Sequence, residues 1–332
     1  MDLSPLIKEI GRGASGAKAL PVGEAERLFG AMLDGTVPEL ELGAILIALR
    51  MKGETLDELE GFLRAARQRQ RVLVRAPDSP RPIIVPSYNG ARRGANLTPL
   101  LALLLARLSL PVVVHGPEQV PGRVGTLEIL AAMGFAAATT QDAQAAGRAG
   151  SRSGALQVFS TPALFPSLDR LMALRGRLGL RNAAHSLVKM IDPADGEGVI
   201  LSAATHPPYL ELASRLIARV QGHALVFRAT EGEPYFNPKR SPTVTAVRHG
   251  TISTVLTADT ASLDSLPDLP SDNTLPTTVD WTEAVLAGQR PVPVPLLDQL
   301  ACCWMMATGL ASFAEAQQEV RLRLFEAGIR HD

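Results

Sequence analysis

The sequence contains very little cysteine, which excludes one class of protein at once. Cys302 and Cys303 are the two cysteines among 332 residues, and neighbouring cysteines are poor disulfide partners. A small secreted fold held together by disulfides is therefore excluded. Because the N-terminus also lacks the basic and apolar regions of a secretory signal, the sequence predicts a cytoplasmic protein.

Excess charge and long apolar runs are absent as well. The 33 lysine and arginine residues equal the 33 aspartate and glutamate residues, so no global field attracts nucleic acid or an anionic membrane. A site for a polyanion would have to be local. Residues 97–110 are apolar but too short, and interrupted by Arg107, to span a bilayer, so no membrane partner is expected. The Walker A, GxSxG and dinucleotide-binding patterns are also missing.

What the sequence does contain begins with a helical segment. Apolar side chains recur near helical spacing over residues 39–51. Thr55 followed by Glu58 is the pattern of a capping box at the start of another helix. These signals predict an all-helical domain of roughly four helices over residues 1–72.

Beyond the helical segment, short strand-like runs alternate with helical ones. Residues 198–229, for example, have the pattern of a strand, a helix and a second strand. Such alternation predicts a mostly parallel central sheet flanked by helices, joined by right-handed crossovers. The fold class is therefore α/β for a large domain over residues 80–332, beside the small N-terminal helical domain.

Two later segments do not follow this alternation. His249 and Gly250 lie between two β-rich runs, as in a hairpin turn. Residues 259–280 are dense in Ser, Asp, Pro and Thr and predict a long surface loop, followed by a helix near residues 281–287.

Several segments together resemble the anthranilate phosphoribosyltransferase superfamily. The most specific is RMKGET at residues 50–55, and VVVHG at 112–116 and GTLEILAAMGF at 125–135 follow in the family order. The likeness covers almost the whole chain. It implies a helical domain joined by a helix at residues 162–182, an α/β domain, a homodimer formed through the helical domain, and a site for phosphoribosyl pyrophosphate between the domains.

The loop that holds pyrophosphate in this family departs from its pattern here. Where the enzymes carry GTGGD, this sequence has SYNGARRG at residues 87–94, with Gly90 and Gly94 as its glycines. Glycines let backbone amides approach phosphates closely, so the exchange predicts that much of this contact is lost. Arg92 and Arg93 bring positive charge to the same place instead.

Two other motifs of the resemblance are also altered. The KHGN-type motif is replaced by VHGP at residues 114–117, and the FNLLGPL stretch by AHSLVKM at residues 184–190. One element matches: Arg175 corresponds to an arginine that contacts anthranilate in the enzymes. Phosphate contact and acceptor recognition are therefore both expected to differ.

The acidic pair that helps to hold magnesium in the family is missing from its usual position. Pro234 and Tyr235 fall about where the pair belongs. Glu231 and Glu233 are near, but their alternate spacing is not the family pattern. Since Mg²⁺ on a pyrophosphate needs carboxylate oxygens, the sequence predicts that this site is lost.

The sequence keeps the scaffold of the superfamily but has altered active-site segments. In this it resembles the YbiB-like branch of homologues outside tryptophan biosynthesis. The segments PSYNGARR, NLTPLLALLLAR and VVVHG resemble that branch in particular. This resemblance implies a homodimer that binds DNA or RNA with little sequence preference through a basic cleft between the domains. It implies no catalytic residue, no cofactor and no metal.

The candidate residues for binding nucleic acid or phosphate follow from this interpretation and from their chemistry. Arginine can fork onto phosphate oxygens, tyrosine can stack on a base, and Thr98 is typical of a helix N-cap whose free amides favour anions. The candidates are Tyr88, Asn89, Gly90, Arg92, Arg93, Asn96, Thr98, His115, Arg123, Arg175 and Lys189.

Structural roles for the same residues stay open at this point. Paired arginines such as Arg92 and Arg93 are common in solvated turns, and His115 at the end of a buried strand is typical of a hydrogen-bonded core histidine. His185 and His206 have no acid or cysteine at metal-ligand spacing, so no metal site is predicted.

Three functions therefore compete at the level of sequence. The first is nucleic-acid binding without catalysis. The second is phosphoribosyl transfer to anthranilate or a related acceptor, which would require phosphoribosyl pyrophosphate and Mg²⁺. The third is a sensor that binds a phosphorylated small molecule and does not turn it over.

Overall fold

A computed structural model of the chain describes residues 3–13, 15–75, 78–138, 156–258 and 268–331. The chain divides into two compact units. The helical unit comprises Met1–Arg71 and Leu164–Ile191. The α/β unit comprises Val72–Ala163 and Asp192–Asp332.

Four helices come first, and from residue 83 onward strands and helices mostly alternate, as the sequence predicts. In chain order they are α1 (Ser4–Ile10), α2 (Val22–Asp34), α3 (Glu39–Lys52), α4 (Leu56–Arg67), β1 (Ile83–Pro86), α5 (Thr98–Arg107), β2 (Val112–Gly116), α6 (Thr126–Ala132), β3 (Leu156–Ser160), α7 (Thr161–Leu164), α8 (Pro166–Ala173), α9 (Arg175–Leu178), α10 (Ala183–Leu187), β4 (Val199–Ala204), α11 (Pro207–Arg219), β5 (His223–Arg228), β6 (Val244–Arg248), β7 (Thr251–Leu256), α12 (Leu275–Leu286), α13 (Val294–Thr308) and α14 (Phe313–Glu326).

The core of the helical unit forms where α2 packs against α4. Phe29 and Phe62 are fully buried there, and their rings stack with centroids 4.5 Å apart. The capping box expected at the start of α4 is confirmed, since Thr55 and Glu58 exchange both of its hydrogen bonds. The packing of α2 against α4 therefore forms the core of this unit, and the capping box fixes where α4 begins.

The α/β unit is built on one sheet of seven described strands in the order β3-β2-β1-β4-β5-β6-β7. The pairs from β3 to β5 are parallel, and β6 and β7 join antiparallel at one edge. The turn between β6 and β7 consists of His249 and Gly250, both with positive φ (44° and 77°), as a two-residue hairpin requires. The predicted fold class is confirmed.

The order of the strands fixes where a ligand site can form. From β1 the chain crosses to β2 on one side, and from β4 it crosses to β5 on the other. In open α/β sheets, ligand sites lie outside the carboxyl ends of the strands at such a reversal. The four residues of β1 are all buried. The loop that follows β1 leaves the sheet at this point.

The surface loop predicted over residues 259–280 is wrong at its C-terminal end. Helix α12 begins at Leu275, so the end of the segment expected to be a loop is helical. The Thr274 hydroxyl accepts a hydrogen bond from the amide of Thr277, and Pro276 stands in the first turn, which together start the helix early. Residues 259–267 of the same prediction lie outside the described residues.

The lengths of the helices bear on the membrane prediction. Within the described ranges, no single helix is long and apolar enough to cross a membrane. Helices α13 and α14 reach that length and apolar composition only when taken together, and the chain bends by 107° between them.

Candidate functional site

Three loops meet beyond the carboxyl ends of the strands in the α/β unit. They follow β1 (residues 87–97), β2 (117–125) and β5 (229–243). Ala91 of the first loop and Val124 of the second form an isolated antiparallel bridge, with both N···O distances at 3.0 Å. The third loop contributes two carboxylates to the first, and these determine the character of the site.

Glu233 is the centre of this arrangement and is fully buried. Its Oε1 accepts hydrogen bonds from the backbone amides of Asn89 (2.7 Å) and Gly90 (2.8 Å). A buried carboxylate is stable only when donors surround it, and hydroxyl groups satisfy the second oxygen. The hydroxyl donors to Oε2 are Ser87, Thr98 (3.2 Å) and Thr126 (3.3 Å).

Glu231, on the loop after β5, binds the outer half of the loop after β1 and is partly buried. Its Oε1 accepts from the amides of Arg93 (3.0 Å) and Gly94 (2.9 Å), and its Oε2 from the amides of Arg92 (3.0 Å) and Arg93 (3.1 Å). The two carboxylates thus lie on the N–H groups of the loop that corresponds to the pyrophosphate loop.

The expected loss of close backbone contact with a phosphate stays a prediction, but the backbone of this loop keeps the geometry of an anion site. The amides of residues 89, 90 and 92–94 all point at an anion, as they would in a phosphate cradle. The anion is a side chain of the protein itself. We name these five amides with the Ser87, Thr98 and Thr126 hydroxyls the anion cradle.

Gly232 lets the two glutamates reach the cradle together. It has φ +91°, and its carbonyl accepts from Asn89 Nδ2 at 2.7 Å. A Cβ on this residue would lie 1.9 Å from the same nitrogen atom. Asn89 is consequently a buried structural residue rather than an exposed ligand contact.

Tyr88 and His115 form a buried pair. The tyrosine hydroxyl and His115 Nδ1 are 2.8 Å apart, and the rings meet edge to face with centroids 5.5 Å apart. Burial lowers the pKa of His115 to about 3, so the imidazole is neutral near pH 7 and does not attract phosphate. Tyr88 is 8% exposed, which removes the stacking face that the sequence suggested. The burial of both side chains indicates structural roles, which the sequence had left open for His115.

Asn96 and Thr98 also support the loop from within. Asn96 Nδ2 donates to Thr126 Oγ1 at 2.9 Å, and its Oδ1 accepts from the amide of Thr98 at 3.1 Å. The residue at the N-cap of α5 is Leu97, so the prediction that Thr98 caps this helix is wrong. Thr98 is the first residue of the helix, and its hydroxyl donates to Glu233.

Arginine side chains at the site remain on the surface. Arg92 and Arg93 are exposed although their amides are held by Glu231. Arg123 is half-buried, and its Nη1 donates to the carbonyl of Gly90 at 3.3 Å. The positive groups of this loop region therefore face solvent while its backbone faces the two carboxylates.

The remaining two candidates lie in the helical unit. Arg175 is exposed at the start of α9, and Lys189 is partly buried just after α10. The nine others belong to the α/β unit and lie on the loops after β1 and β2, at the start of α5 or at the end of β2.

The sequence did not identify the glutamates as parts of the loop. Glu231 and Glu233 were considered only as displaced magnesium ligands, and they follow Gly90 by about 140 residues in the chain. The one local signal was the glycine between them, which allows the positive φ that a sharp turn of the chain needs.

The residues present do not fit phosphoribosyl pyrophosphate with magnesium. The cradle amides already bind carboxylates, and Tyr235, at the place of the acidic pair, is buried and donates to the carbonyl of Ala95 at 3.1 Å. Among the described residues, no group of three or more His, Cys, Asp and Glu side chains could hold a metal ion.

Comparison with solved structures defines the class of fold. Anthranilate phosphoribosyltransferase from Thermus thermophilus matches with a TM-score of 0.73 over 99% of this chain and 96% of its own, at 20% identity. The enzyme from Saccharomyces cerevisiae in complex with PRPP and Mg gives 0.72 over 98% and 94%, at 11% identity. The protein therefore has the anthranilate phosphoribosyltransferase fold.

Sequence comparison narrows this class to a family. The uncharacterized protein YbiB of Escherichia coli strain K12 is 42% identical over 315 residues, covering 94% of this chain and 96% of YbiB. Anthranilate phosphoribosyltransferase of Symbiobacterium thermophilum is 26% identical over 297 residues, or 86% and 82% of the two chains. Residues 4–69 match the helical bundle domain of the glycosyl transferase family. The chain belongs to the YbiB-like family of anthranilate phosphoribosyltransferase homologues, which confirms the resemblance.

Proposed function

We propose that the protein is a homodimer that binds nucleic acid with little sequence preference and does not transfer phosphoribosyl groups. The observation that carries this proposal is the orientation of the loop after β1. Its amides are held by Glu231, and its Arg92 and Arg93 side chains are exposed. A fixed backbone with exposed guanidinium groups suits contact with the phosphates of a polymer.

Other exposed cations share the carboxyl edge of the sheet with this arginine pair. Arg228 is the last residue of β5, and Lys239 and Arg240 lie in the loop that follows it. Arg228, Lys239 and Arg240 are exposed, and Arg123 lies on the loop after β2. Because the whole chain has no net charge, such a local group is what a polyanion would recognise. Arg175 and Lys189 of the helical unit stay predicted contributors.

The two glutamates of the loop after β5 do not block this surface. Glu233 is fully buried on the amides of Asn89 and Gly90, and Glu231 accepts four hydrogen bonds from three amides. Their charges are thus directed at backbone dipoles. Contacts to phosphates and not to bases would give the low sequence preference.

The homodimer is proposed from an apolar groove on the helical unit. The groove has a volume of about 820 Å³ and lies between α1 and α3 beside Leu178. Leu40 and Met51 on α3 are 83% and 77% exposed, although both are large and apolar. A patch of this kind marks a protein interface, and a second copy of the unit would cover it.

The test is binding of a fluorescent single-stranded or duplex oligonucleotide, followed by anisotropy at several salt concentrations. We expect affinity to fall steeply with salt, and we expect the variant R92A/R93A to bind more weakly with a salt slope reduced by about 2 on a logarithmic plot. The matched control is R107A/R219A, which removes two exposed arginines from helix ends. Equal binding by both variants and the unchanged protein would overturn the proposal.

The alternative function is phosphoribosyl transfer to anthranilate or a related acceptor. It is favoured by the sequence likeness to anthranilate phosphoribosyltransferases. Titration of the protein with phosphoribosyl pyrophosphate and Mg²⁺ in a calorimeter distinguishes the two. Heat of binding and product formed from anthranilate would establish the alternative, and neither is expected because the cradle amides are already hydrogen-bonded.

A further inference from the structure

We propose that Glu231 and Glu233 are built-in anions that fill the anion cradle and exclude pyrophosphate compounds from it. The inference goes beyond nucleic-acid binding, because it concerns the backbone of the loop and not its exposed arginines. It also gives a physical reason for the misfit with phosphoribosyl pyrophosphate described above.

The hydrogen bonds show how completely the cradle is filled. Each of its five amides and three hydroxyls donates a hydrogen bond to either Glu231 or Glu233. An arriving pyrophosphate would find these donors engaged. It would also meet two negative charges where it needs positive groups, which is repulsive at such short range.

The carboxylates have an advantage that a dissolved anion lacks. They are attached to the same chain, so their effective concentration at the cradle is of millimolar order or higher, whatever the solution contains. Both are further held by the turn at Gly232, whose carbonyl accepts from Asn89 Nδ2. Displacement would therefore require the loop after β5 to open.

The two glutamates differ in how they can be tested. Glu233 is fully buried on two amides and three hydroxyls, so its removal would leave buried donors without partners. Glu231 is partly exposed, and the residues whose amides it binds, Arg92, Arg93 and Gly94, are exposed. Removing Glu231 alone would open three amides to solvent without disturbing the inner half.

The experiment uses inorganic pyrophosphate as the probe and the full chain as the protein. Unchanged protein, E231A and the control E118A are titrated by calorimetry and by thermal unfolding. Glu118 is exposed on the neighbouring loop, so its removal matches the change of charge without opening the cradle. We expect E231A to bind about one pyrophosphate per chain at least tenfold more tightly than the other two proteins.

If E231A folds, either of two results would overturn the inference. One is pyrophosphate binding by the unchanged protein with the affinity of E231A. The other is a folded E231A, with the circular dichroism of the unchanged protein, that gains no affinity. If E231A does not fold in dilute buffer, E231Q is tested in its place, and refolding of E231A on addition of pyrophosphate is measured. No rescue and no gain by E231Q would likewise contradict the proposal.

Oligonucleotide binding by the same proteins separates this inference from the proposed function. Arg92 and Arg93 are present in all of them. A failure to bind nucleic acid would therefore leave the pyrophosphate result unaffected, and a failure to bind pyrophosphate would leave the nucleic-acid result unaffected.

Discussion

Gly232 is the residue on which the arrangement of the two glutamates depends most directly. Its neighbours on both sides carry carboxylates that point to different parts of one loop. Its φ of +91° is outside the range that other residues adopt easily, and Asn89 leaves no space for a side chain. Conformation and packing therefore both require glycine here.

We predict that Gly232→Ala lowers the free energy of unfolding by about 3 kcal/mol, since strain at positive φ adds to the overlap with Asn89. The matched control is Gly122→Ala, because Gly122 also has positive φ (68°) but has open space around its Cβ position. The control should cost only about 1 kcal/mol. Urea unfolding of both variants measures the difference, and equal losses would contradict the packing argument.

Sequence patterns single out the loop at residues 87–94 but not the side chains that fill it. Glycine and arginine at residues 87–94 could be compared with a family pattern, because that comparison is local. The partner of the loop is distant in sequence: Glu233 meets Gly90 across 143 positions. No periodicity or spacing predicts such a contact, so the sequence places Asn89 among the ligand contacts and not in the interior.

The start of α4 shows an element whose sequence signal and structure agree. Glu58 accepts from the Thr55 amide at 2.9 Å, and the same carboxylate binds Lys52 Nζ at 2.6 Å and the Leu20 amide at 3.0 Å. It is fully buried. The capping residue thus also joins the helix to two other segments of its unit.

We predict that Glu58→Ala lowers the free energy of unfolding by about 3–5 kcal/mol, because it leaves the buried Lys52 ammonium group without its carboxylate. Thr55→Ala is the comparison, since it removes only the cap from the same helix and should cost about 1 kcal/mol. Thermal and urea unfolding provide the measurement. A loss from Glu58→Ala no larger than that from Thr55→Ala would refute this account.

Element boundaries were predictable where local chemistry decides them. The helix after β1 and the hairpin of β6 and β7 lie where turn residues and apolar spacing put them. The error at α12 has a local cause as well, since the cap at Thr274 was hidden in a segment rich in loop-forming residues. By contrast, the helix after β1 begins one residue earlier than a Thr98 cap would put it, and the Thr98 hydroxyl donates to a distant carboxylate.

For the whole molecule, the proposed homodimer links the exposed groove of the helical unit to function. Leu40 and Met51 belong to α3, and Ile7 of α1 contributes to the same groove. Two copies would present two sets of exposed cations to one polymer. Binding of both sets raises affinity for a long strand without any new contact.

We predict that L40E/M51E is monomeric and binds long oligonucleotides at least about tenfold more weakly, while short ones are bound nearly as before. Phe325→Glu is the control, because Phe325 is also apolar and exposed (74%) but lies on α14 of the other unit. Light scattering after gel filtration gives the mass. A dimer that persists in L40E/M51E would show that the groove is not the interface.

The overall architecture was the part most open to prediction. Alternation of strands and helices is repeated along the chain, so the α/β class and the parallel sheet follow from many weak signals that agree. A site has no such redundancy. It depends on single side chains such as Glu231, whose role only the folded chain reveals.

Loops at the end of a sheet are usually where a protein opens most easily, but the cradle should behave in the opposite way. The Asn89 and Gly90 amides are buried against Glu233, which also binds hydroxyls from α5 and α6. Their protons can exchange with water only when three separate segments part together. Hydrogen exchange at these two amides should therefore be slower than at the exposed residues 92–94 of the same loop.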